Sequence, residues 1–128
     1  MKALVLNLPL PPPANNMFVN VAGKGRVKSG RYKRWSISAL NFAWLSKPPG
    51  GFPLFDGPFS IQIAVPTKMR GDVDGRIKAI PDFLKKPAGI ITDDKHMQGV
   101  SISRDPEIEP GFCRVFVFDA PPVSLEAA

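Results

Sequence analysis

The sequence predicts one α+β domain, in which a mixed sheet of about four to five strands carries two main helices in the order β-α-β-α-β-β. Three observations support this prediction. Short runs rich in β-branched and aromatic residues lie near both ends, two stretches with helical spacing lie between them, and 128 residues suffice for one hydrophobic core. We assign residues 1–120 to this domain and predict a flexible tail over residues 121–128.

The first half of the domain is expected to contain one strand and one helix. Residues 2–8, KALVLNL, predict a strand that ends at the prolines of residues 9–13, because proline cannot donate to a sheet ladder. The two asparagines that follow favour a turn. Ser29 is a candidate N-cap for a helix that runs through Ser46. The apolar stripe of this helix comprises Tyr32, Trp35, Ile37, Ala39, Leu40, Ala43 and Trp44.

A loop, a strand and a second helix are expected next. Residues 47–58 are rich in Pro and Gly and predict the loop, whereas residues 59–65, FSIQIAV, give the clearest strand of the chain. From Asp74 to Lys86, apolar residues fall on one helical face and charged residues on another. Pro81 lies inside this stretch, so we expect a kink or an early distortion of the helix there.

The last part of the domain is expected to be β-structure. Residues 90–92, IIT, predict a short strand, and further strands are expected around residues 98–103 and over residues 112–118. The segment DPEIEPG between the last two strands has the composition of a turn. We therefore expect these two strands to form an antiparallel hairpin.

The positive charge is concentrated in the first half of the chain. The net charge is +6, and residues 1–55 contain eight lysines and arginines but no acidic residue. Such a one-sign surface favours a polyanion, above all nucleic acid, although a basic loop can also be only a solvated face. A membrane surface fits less well, because the cluster lacks the apolar face of an interfacial helix. Six cations form a basic segment over residues 24–34: Lys24, Arg26, Lys28, Arg31, Lys33 and Arg34.

Cysteine content and hydropathy bear on the compartment. Cys113 is the only cysteine, lies in the apolar run FCRVFVF and is expected to be a buried, inert thiol. A disulfide framework is therefore excluded, which fits a reducing compartment. The N-terminus does not have the pattern of a signal peptide, and no segment is apolar enough to span a bilayer. We expect a soluble, cytoplasmic protein.

Two pairs of aspartates are the most informative feature of the chain. Asp72 and Asp74 are one residue apart and would point the same way on extended chain, where they repel by roughly 3 to 4 kcal/mol at an effective dielectric near 20. A bound cation would turn that repulsion into affinity. The second pair, Asp93 and Asp94, follows the predicted helix.

Most other metal and catalytic sites are excluded by composition. One histidine and one cysteine cannot form a zinc finger, and the spacing after Asp72 does not fit a calcium-binding loop. No serine stands in a nucleophile-elbow motif, and His96 is expected at the surface or behind a site. What is left is a hard-cation site of Asp72, Asp74 and one or both of Asp93 and Asp94, with water completing the shell as Mg²⁺ prefers.

Lys78 lies one helical turn beyond Asp74. Its charge could stabilise a pentacovalent phosphate while a metal polarises the phosphoryl oxygen and activates water. Both residues also have simpler interpretations. Asp74 could be only a helix N-cap, and Lys78 only its exposed partner four residues on.

These residues resemble the RusA-type Holliday junction resolvases, which are dimeric, magnesium-dependent endonucleases of bacteria and their phages. The resemblance covers most of the chain: PPPANN near the N-terminus, the basic segment with its following helix, the stretch around the first aspartates and the second aspartate pair. The sequence departs from the family pattern at Gly75, where the family usually has asparagine, and at Pro81. The matching positions in the central stretch are Arg70, Asp72, Asp74, Lys78, Asp82 and Leu84.

The resemblance implies specific roles for these residues. Asp72, Asp74 and Asp94 would be the catalytic metal ligands, and Lys78 the essential lysine. Asp82 and Asp93 are secondary candidates, as ligands or behind the ligands. Besides the basic segment, Arg70 and Arg76 are expected to contact DNA.

The expected function is resolution of four-way DNA junctions by paired nicks, in a homodimer with two active sites. The expected cofactor is Mg²⁺, for which Mn²⁺ can substitute, with no organic cofactor and no membrane partner. The expected location is the cytoplasm of a bacterium or of a phage-infected host. Two alternatives stay open: a catalytically silent basic DNA-binding module, and a carboxylate nuclease that cuts other branched DNA or RNA.

Overall fold

The structure is a computed structural model that describes residues 2–119. It confirms the α+β class, because a mixed sheet of four strands, a separate two-stranded hairpin and two helices are present in this range. The predicted tail over residues 121–128 lies outside the described residues. The elements are β1 Ala3–Pro9, β2 Phe18–Val21, β3 Gly25–Lys28, α1 Gly30–Leu45, β4 Phe59–Pro66, α2 Ala79–Lys85, β5 Met97–Asp105 and β6 Phe112–Asp119.

The main sheet has the strand order β1-β6-β4-β5. Strand β6 is antiparallel to both β1 and β4, whereas β4 and β5 run parallel. Strands β1, β4 and β5 therefore all point the same way. As a result, the C-terminal ends of β1 and β4 lie at the same end of the sheet.

One face of the sheet carries the helices and the core. Alternate residues of β1, β4 and β6 are buried there, as in Leu4, Leu6 and Leu8 of β1. This period of two is what a sheet covered on one face requires. Helices α1 and α2 pack together on that face, where the rings of Trp35 and Phe83 meet edge to face at 5.4 Å.

Helix α1 begins and ends where the sequence predicts. Ser29 is its N-cap, and the Ser29 hydroxyl accepts a hydrogen bond from the backbone N–H of Tyr32 at 3.0 Å. The same hydroxyl donates to the carbonyl of Asn16 at 2.7 Å, so the cap also ties the helix to the turn after the prolines. A serine used in both directions explains why a polar side chain only 7% exposed is tolerated here.

The second helix is shorter than predicted. Asp74–Arg76 form a single 3₁₀ turn, and α2 begins only at Ala79. Pro81 thereby occupies the first turn of the helix, where a missing N–H removes no intrahelical bond. Pro81 therefore marks the start of α2 and not a distortion inside a longer helix.

Three predictions about β-structure are wrong. The two last strands do not form a hairpin, because β4 lies between β5 and β6. The apolar strand β6 takes an inner position, between β1 and β4, and the polar strand β5 forms one of the two edges. Residues 90–92 form only a single bridge, from Ile91 to Phe55. The part of the basic segment before α1 is not a loop, because residues 25–28 form strand β3 of a hairpin with β2.

The expectation of a buried thiol is confirmed. Cys113 is buried in β6, and burial raises the pKa of its thiol to about 12. Of the helices in the described range, neither α1 nor α2 has the length and apolar character needed to cross a bilayer.

Candidate functional site

An acidic cleft opens at the end of the sheet where the C-termini of β1 and β4 lie. The chain after β1 contributes the turn with Asn15 and Asn16, and the chain after β4 contributes the stretch with Asp72 and Asp74. The two segments meet because β1 and β4 point the same way. The cleft has a volume of about 550 Å³ and is lined by Pro13, Ala14, Asn15, Asn16, Gly71, Asp72, Asp74, Gly75 and Arg76.

Both aspartates of the cleft are exposed, and neither has a structural task in the fold. Neither the 3₁₀ turn at Asp74 nor helix α2 has a side-chain cap, so Asp74 is not an N-cap. Within residues 2–119, ion pairs join only Lys2 to Asp56 and Lys85 to Asp93. The two simpler interpretations, a capping Asp74 and an ion pair with Lys78, therefore do not hold.

Arg104 holds the chain that leads into the cleft. Its guanidinium donates to the carbonyls of Thr67, Met69 and Gly71 at 3.0, 2.6 and 3.1 Å. Arg104 belongs to β5, and its register partner is Val65 near the end of β4. The parallel pairing therefore brings the guanidinium to the end of the sheet where the cleft opens. A single side chain thus fixes three carbonyls of the acidic loop, which we define as residues 67–74.

Arg76 fastens the acidic loop to the proline segment. Its guanidinium donates to the carbonyl of Pro11 at 2.6 Å and to that of Arg70 at 3.4 Å. Burial, and then the nearby positive charge of Arg31, lower the pKa of Arg76. The expected contact of Arg76 with DNA stays a prediction, but this side chain also has a structural role, whereas Arg70 is exposed.

The second aspartate pair lies elsewhere. Asp93 and Asp94 precede β5, whose first residue, Met97, pairs with Phe59 at the start of β4. Because β4 and β5 are parallel, this pair precedes the end of β5 that lies opposite to the acidic loop, and β4 spans on the order of 23 Å between the two ends. Helix α2 runs between the two places.

Local hydrogen bonds hold Asp93. Its carboxylate accepts from the backbone N–H of Lys95 at 3.1 Å and lies 4.0 Å from the ammonium of Lys85. The hydrogen bond from Lys95, followed by one with Asp94, lowers the pKa of Asp93. Asp93 thus has a structural partner at the end of α2, and Asp94 beside it is exposed.

The structure brings Asp72 and Asp74 together but does not add Asp94 to them. In the part of the chain that is described, no three acidic, histidine or cysteine side chains converge so as to hold a metal. The role of Asp94 as third ligand stays a prediction. The two carboxylates that share the cleft still suit Mg²⁺, which binds through one or two carboxylates and keeps several waters for substrate phosphate to replace.

The other predicted site residues lie around α2. Lys78 immediately precedes the helix and is exposed. Asp82 faces α1, where burial and the charge of Asp82 raise the pKa of Tyr32 to about 12. This contact places Asp82 between the helices and away from the acidic cleft. His96 is half-buried in the turn before β5.

The basic segment adjoins the acidic cleft. Its six cations are exposed, and none forms an ion pair with a described residue. Arg26 lies over the ring of Phe18 at 4.4 Å and lines a second cleft. Ala14 and Asn15 line both clefts, so the Arg26 cleft and the carboxylates are separated by one turn of chain.

Sequence reasoning missed Arg104 and the structural use of Arg76. Neither stands in a motif, because their partners are backbone carbonyls, which any residue supplies. Compared with models of known protein families and with curated proteins, the chain matches none of them.

Proposed function

We propose that this protein is a divalent-metal-dependent endodeoxyribonuclease that cuts branched DNA, with the four-way junction as substrate and Mg²⁺ as the cofactor. It would act as a homodimer, so that two sites face the two-fold symmetric junction. The resemblance to the RusA-type resolvases supports the choice of substrate. We place the activity in the cytoplasm, where a free Cys113 thiol is stable.

The observation that carries the proposal is the placement of Asp72 and Asp74. Both are exposed on one cleft, and neither caps a helix or forms an ion pair within residues 2–119. Fixing two like charges on a loop costs free energy unless a cation compensates for it. Arg104 and Arg76 hold this loop through backbone carbonyls and leave the carboxylates unpaired.

Each group of residues has a task in this proposal. Asp72 and Asp74 would hold the ion. When bound, the ion would polarise the phosphoryl oxygen and make a water molecule more acidic. Lys78, exposed at the start of α2, would stabilise the charge that grows on the phosphate. The basic segment would bind the flanking phosphates and position the strand.

The test is nicking of a synthetic four-way junction compared with linear duplex, with Mg²⁺ and with EDTA. We expect Mg²⁺-dependent cleavage of the junction that Asp72→Asn abolishes, with junction binding kept or strengthened because one repulsive charge is lost. Asp56→Asn is the matched control, since Asp56 is an exposed carboxylate whose only ion pair, among described residues, is with Lys2. Full activity of Asp72→Asn would reject the site.

One observation favours a second candidate, a DNA-binding module without catalysis. Asp94 is not among the residues that line the acidic cleft, and two carboxylates alone give fewer ligands than expected from the sequence. Asp94→Asn separates the candidates. Loss of nicking would mean that Asp94 reaches the site in the working assembly, whereas tight junction binding by a wild-type protein that never cuts junction, flap or RNA would favour the module.

A further inference from the structure

Another cleft of the described chain lies away from the acidic residues, on helix α1. It has a volume of about 610 Å³, within the range of small-molecule sites. One face of α1 forms its wall, and the chain just after α2 closes it on the other side. We call it the α1 cleft, and its lining comprises Lys28, Tyr32, Lys33, Ser36, Ile37, Leu40, Asn41, Lys86 and Pro87.

The floor of the α1 cleft is apolar and accessible. Ile37 is 66% exposed, and Leu40 and Pro87 add further apolar surface. An apolar side chain that is two-thirds exposed on a helix of the core layer contributes nothing to the core. Within the described chain, this floor has no covering element.

The rim of the α1 cleft is cationic. Lys28, Lys33 and Lys86 stand around it, and none of them is within ion-pair distance of an acidic group among residues 2–119. Lys28 and Lys33 belong to the basic segment, so the cleft continues the surface that we expect to contact phosphates. An apolar floor inside a ring of cations is complementary to a ligand with a flat apolar face and flanking negative charges.

We propose that the α1 cleft binds an unpaired base of a DNA strand, with the phosphates on either side held by the three lysines. Duplex DNA presents sugars and phosphates outward, so the apolar floor would gain nothing from it. An unstacked base exposes a flat π-face, which every base has, so packing of this face on an apolar floor is largely independent of sequence. This inference rests on the proposed function for its choice of DNA, since a branch point supplies unstacked bases.

The test compares two single-stranded probes of equal charge. One is a dodecamer of thymidylate, and the other is a dodecamer of the same length built from abasic nucleotides. Binding is measured by fluorescence anisotropy at one fixed salt concentration, without metal, so that cleavage plays no part. We expect the wild-type protein to bind the thymidylate probe about tenfold more tightly than the abasic probe.

Two substitutions of uncharged residues on α1, Ile37→Asn and Leu45→Asn, locate the effect, and Lys86→Gln, just after α2, removes one charge of the rim. Ile37→Asn should reduce the preference for bases to less than about threefold, and Lys86→Gln should weaken binding of both probes alike. Leu45→Asn is the control, because Leu45 is 82% exposed on α1 and does not line the cleft. Leu45→Asn should keep the full preference. Since both apolar side chains are exposed, neither change removes core packing.

Three outcomes would overturn the inference. Equal binding of the two probes by the wild-type protein would mean that bases are not read at all. An equal loss of the base preference in Ile37→Asn and Leu45→Asn would mean that bases do not bind in the α1 cleft. A change of mass in solution for Ile37→Asn, with the base preference intact, would make the cleft a protein interface. Junction nicking that survives any of these results would leave the proposed function standing.

Discussion

The guanidinium of Arg104 donates to the carbonyl of Met69 at 2.6 Å and thereby joins the edge strand β5 to the acidic loop. Two further bonds, to the carbonyls of Thr67 and Gly71, complete the contact. Gly71 has a φ of 87°, a backbone conformation that a side chain would strain. The direction of the loop into the acidic cleft therefore depends on one side chain and one glycine that are more than thirty residues apart in sequence.

We expect Arg104→Ala to loosen the acidic loop. The change removes three charge-assisted hydrogen bonds at a partly exposed place and should lower the free energy of unfolding by about 1 to 3 kcal/mol. Urea denaturation gives this value, and amide hydrogen exchange over residues 67–74 should become faster. Lys68→Ala is the control, because Lys68 is exposed in the same loop. Unchanged exchange in Arg104→Ala would contradict the role of Arg104.

Ser29→Ala should destabilise the start of α1 and its link to the Asn16 turn. The hydroxyl both accepts from Tyr32 and donates to Asn16, so we expect a loss of about 1 to 2 kcal/mol. Thermal unfolding measures it. Ser38→Ala in the middle of the same helix should be neutral or slightly stabilising, since alanine is the better helix former. Equal effects of the two changes would argue against the cap.

Lys78→Ala should slow junction cleavage while metal affinity changes little. Lys78 is expected to act on the charge of the phosphate, so the loss should appear in the rate at saturating Mg²⁺ and be about 10²-fold or more. Lys85→Ala is the comparison, because Lys85 is on the same stretch but pairs with Asp93. A rate for Lys78→Ala equal to that of the wild type would make Lys78 an ordinary surface residue.

The basic segment predicts a steep dependence of DNA binding on salt. If all six cations contact phosphate, log K should fall with log[salt] with a slope of about −5. Replacing Arg26 and Lys28 by glutamine should reduce the slope by about two, because two counterions fewer are released. The same double change at Lys2 and Lys47, outside the segment, should leave the slope unaltered. Binding that does not respond to salt would exclude phosphate contacts by this segment.

Cys113 predicts how stability changes at alkaline pH. Burial raises the pKa of its thiol from an ordinary 9.0 to about 12, so between these values the unfolded chain loses this proton and the folded chain keeps it. The contribution of Cys113 is therefore constant below pH 9 and decreases as the pH rises toward 12. The free energy of unfolding, measured with urea at pH 8 and at pH 10, should differ less between the two pH values for Cys113→Ala than for the wild type. A thiol that reacts with Ellman's reagent in the folded protein at pH 8 would contradict its burial.

Local patterns in the sequence were sufficient for much of the fold. The cap at Ser29, the extent of α1 and the strand that ends at Pro66 each follow from a few neighbouring residues. Asp72 and Asp74 could also be singled out, because two carboxylates so close together carry an electrostatic cost that is independent of the fold. All of these signals come from residues that are close together in the sequence.

Tertiary structure decided the rest. The residues of β5 and β6 do not encode which neighbour each strand takes, and the order followed from burial: the more apolar strand lies inside and the polar one at the edge. That same choice made β4 and β5 parallel, which separates Asp94 from Asp72 and brings Arg104 to the acidic loop. The sequence by itself thus determined which residues carry charge and where helices can begin. Only long-range pairing of the strands decided which of those charges meet, because packing free energy depends on the whole sheet and not on adjacent residues.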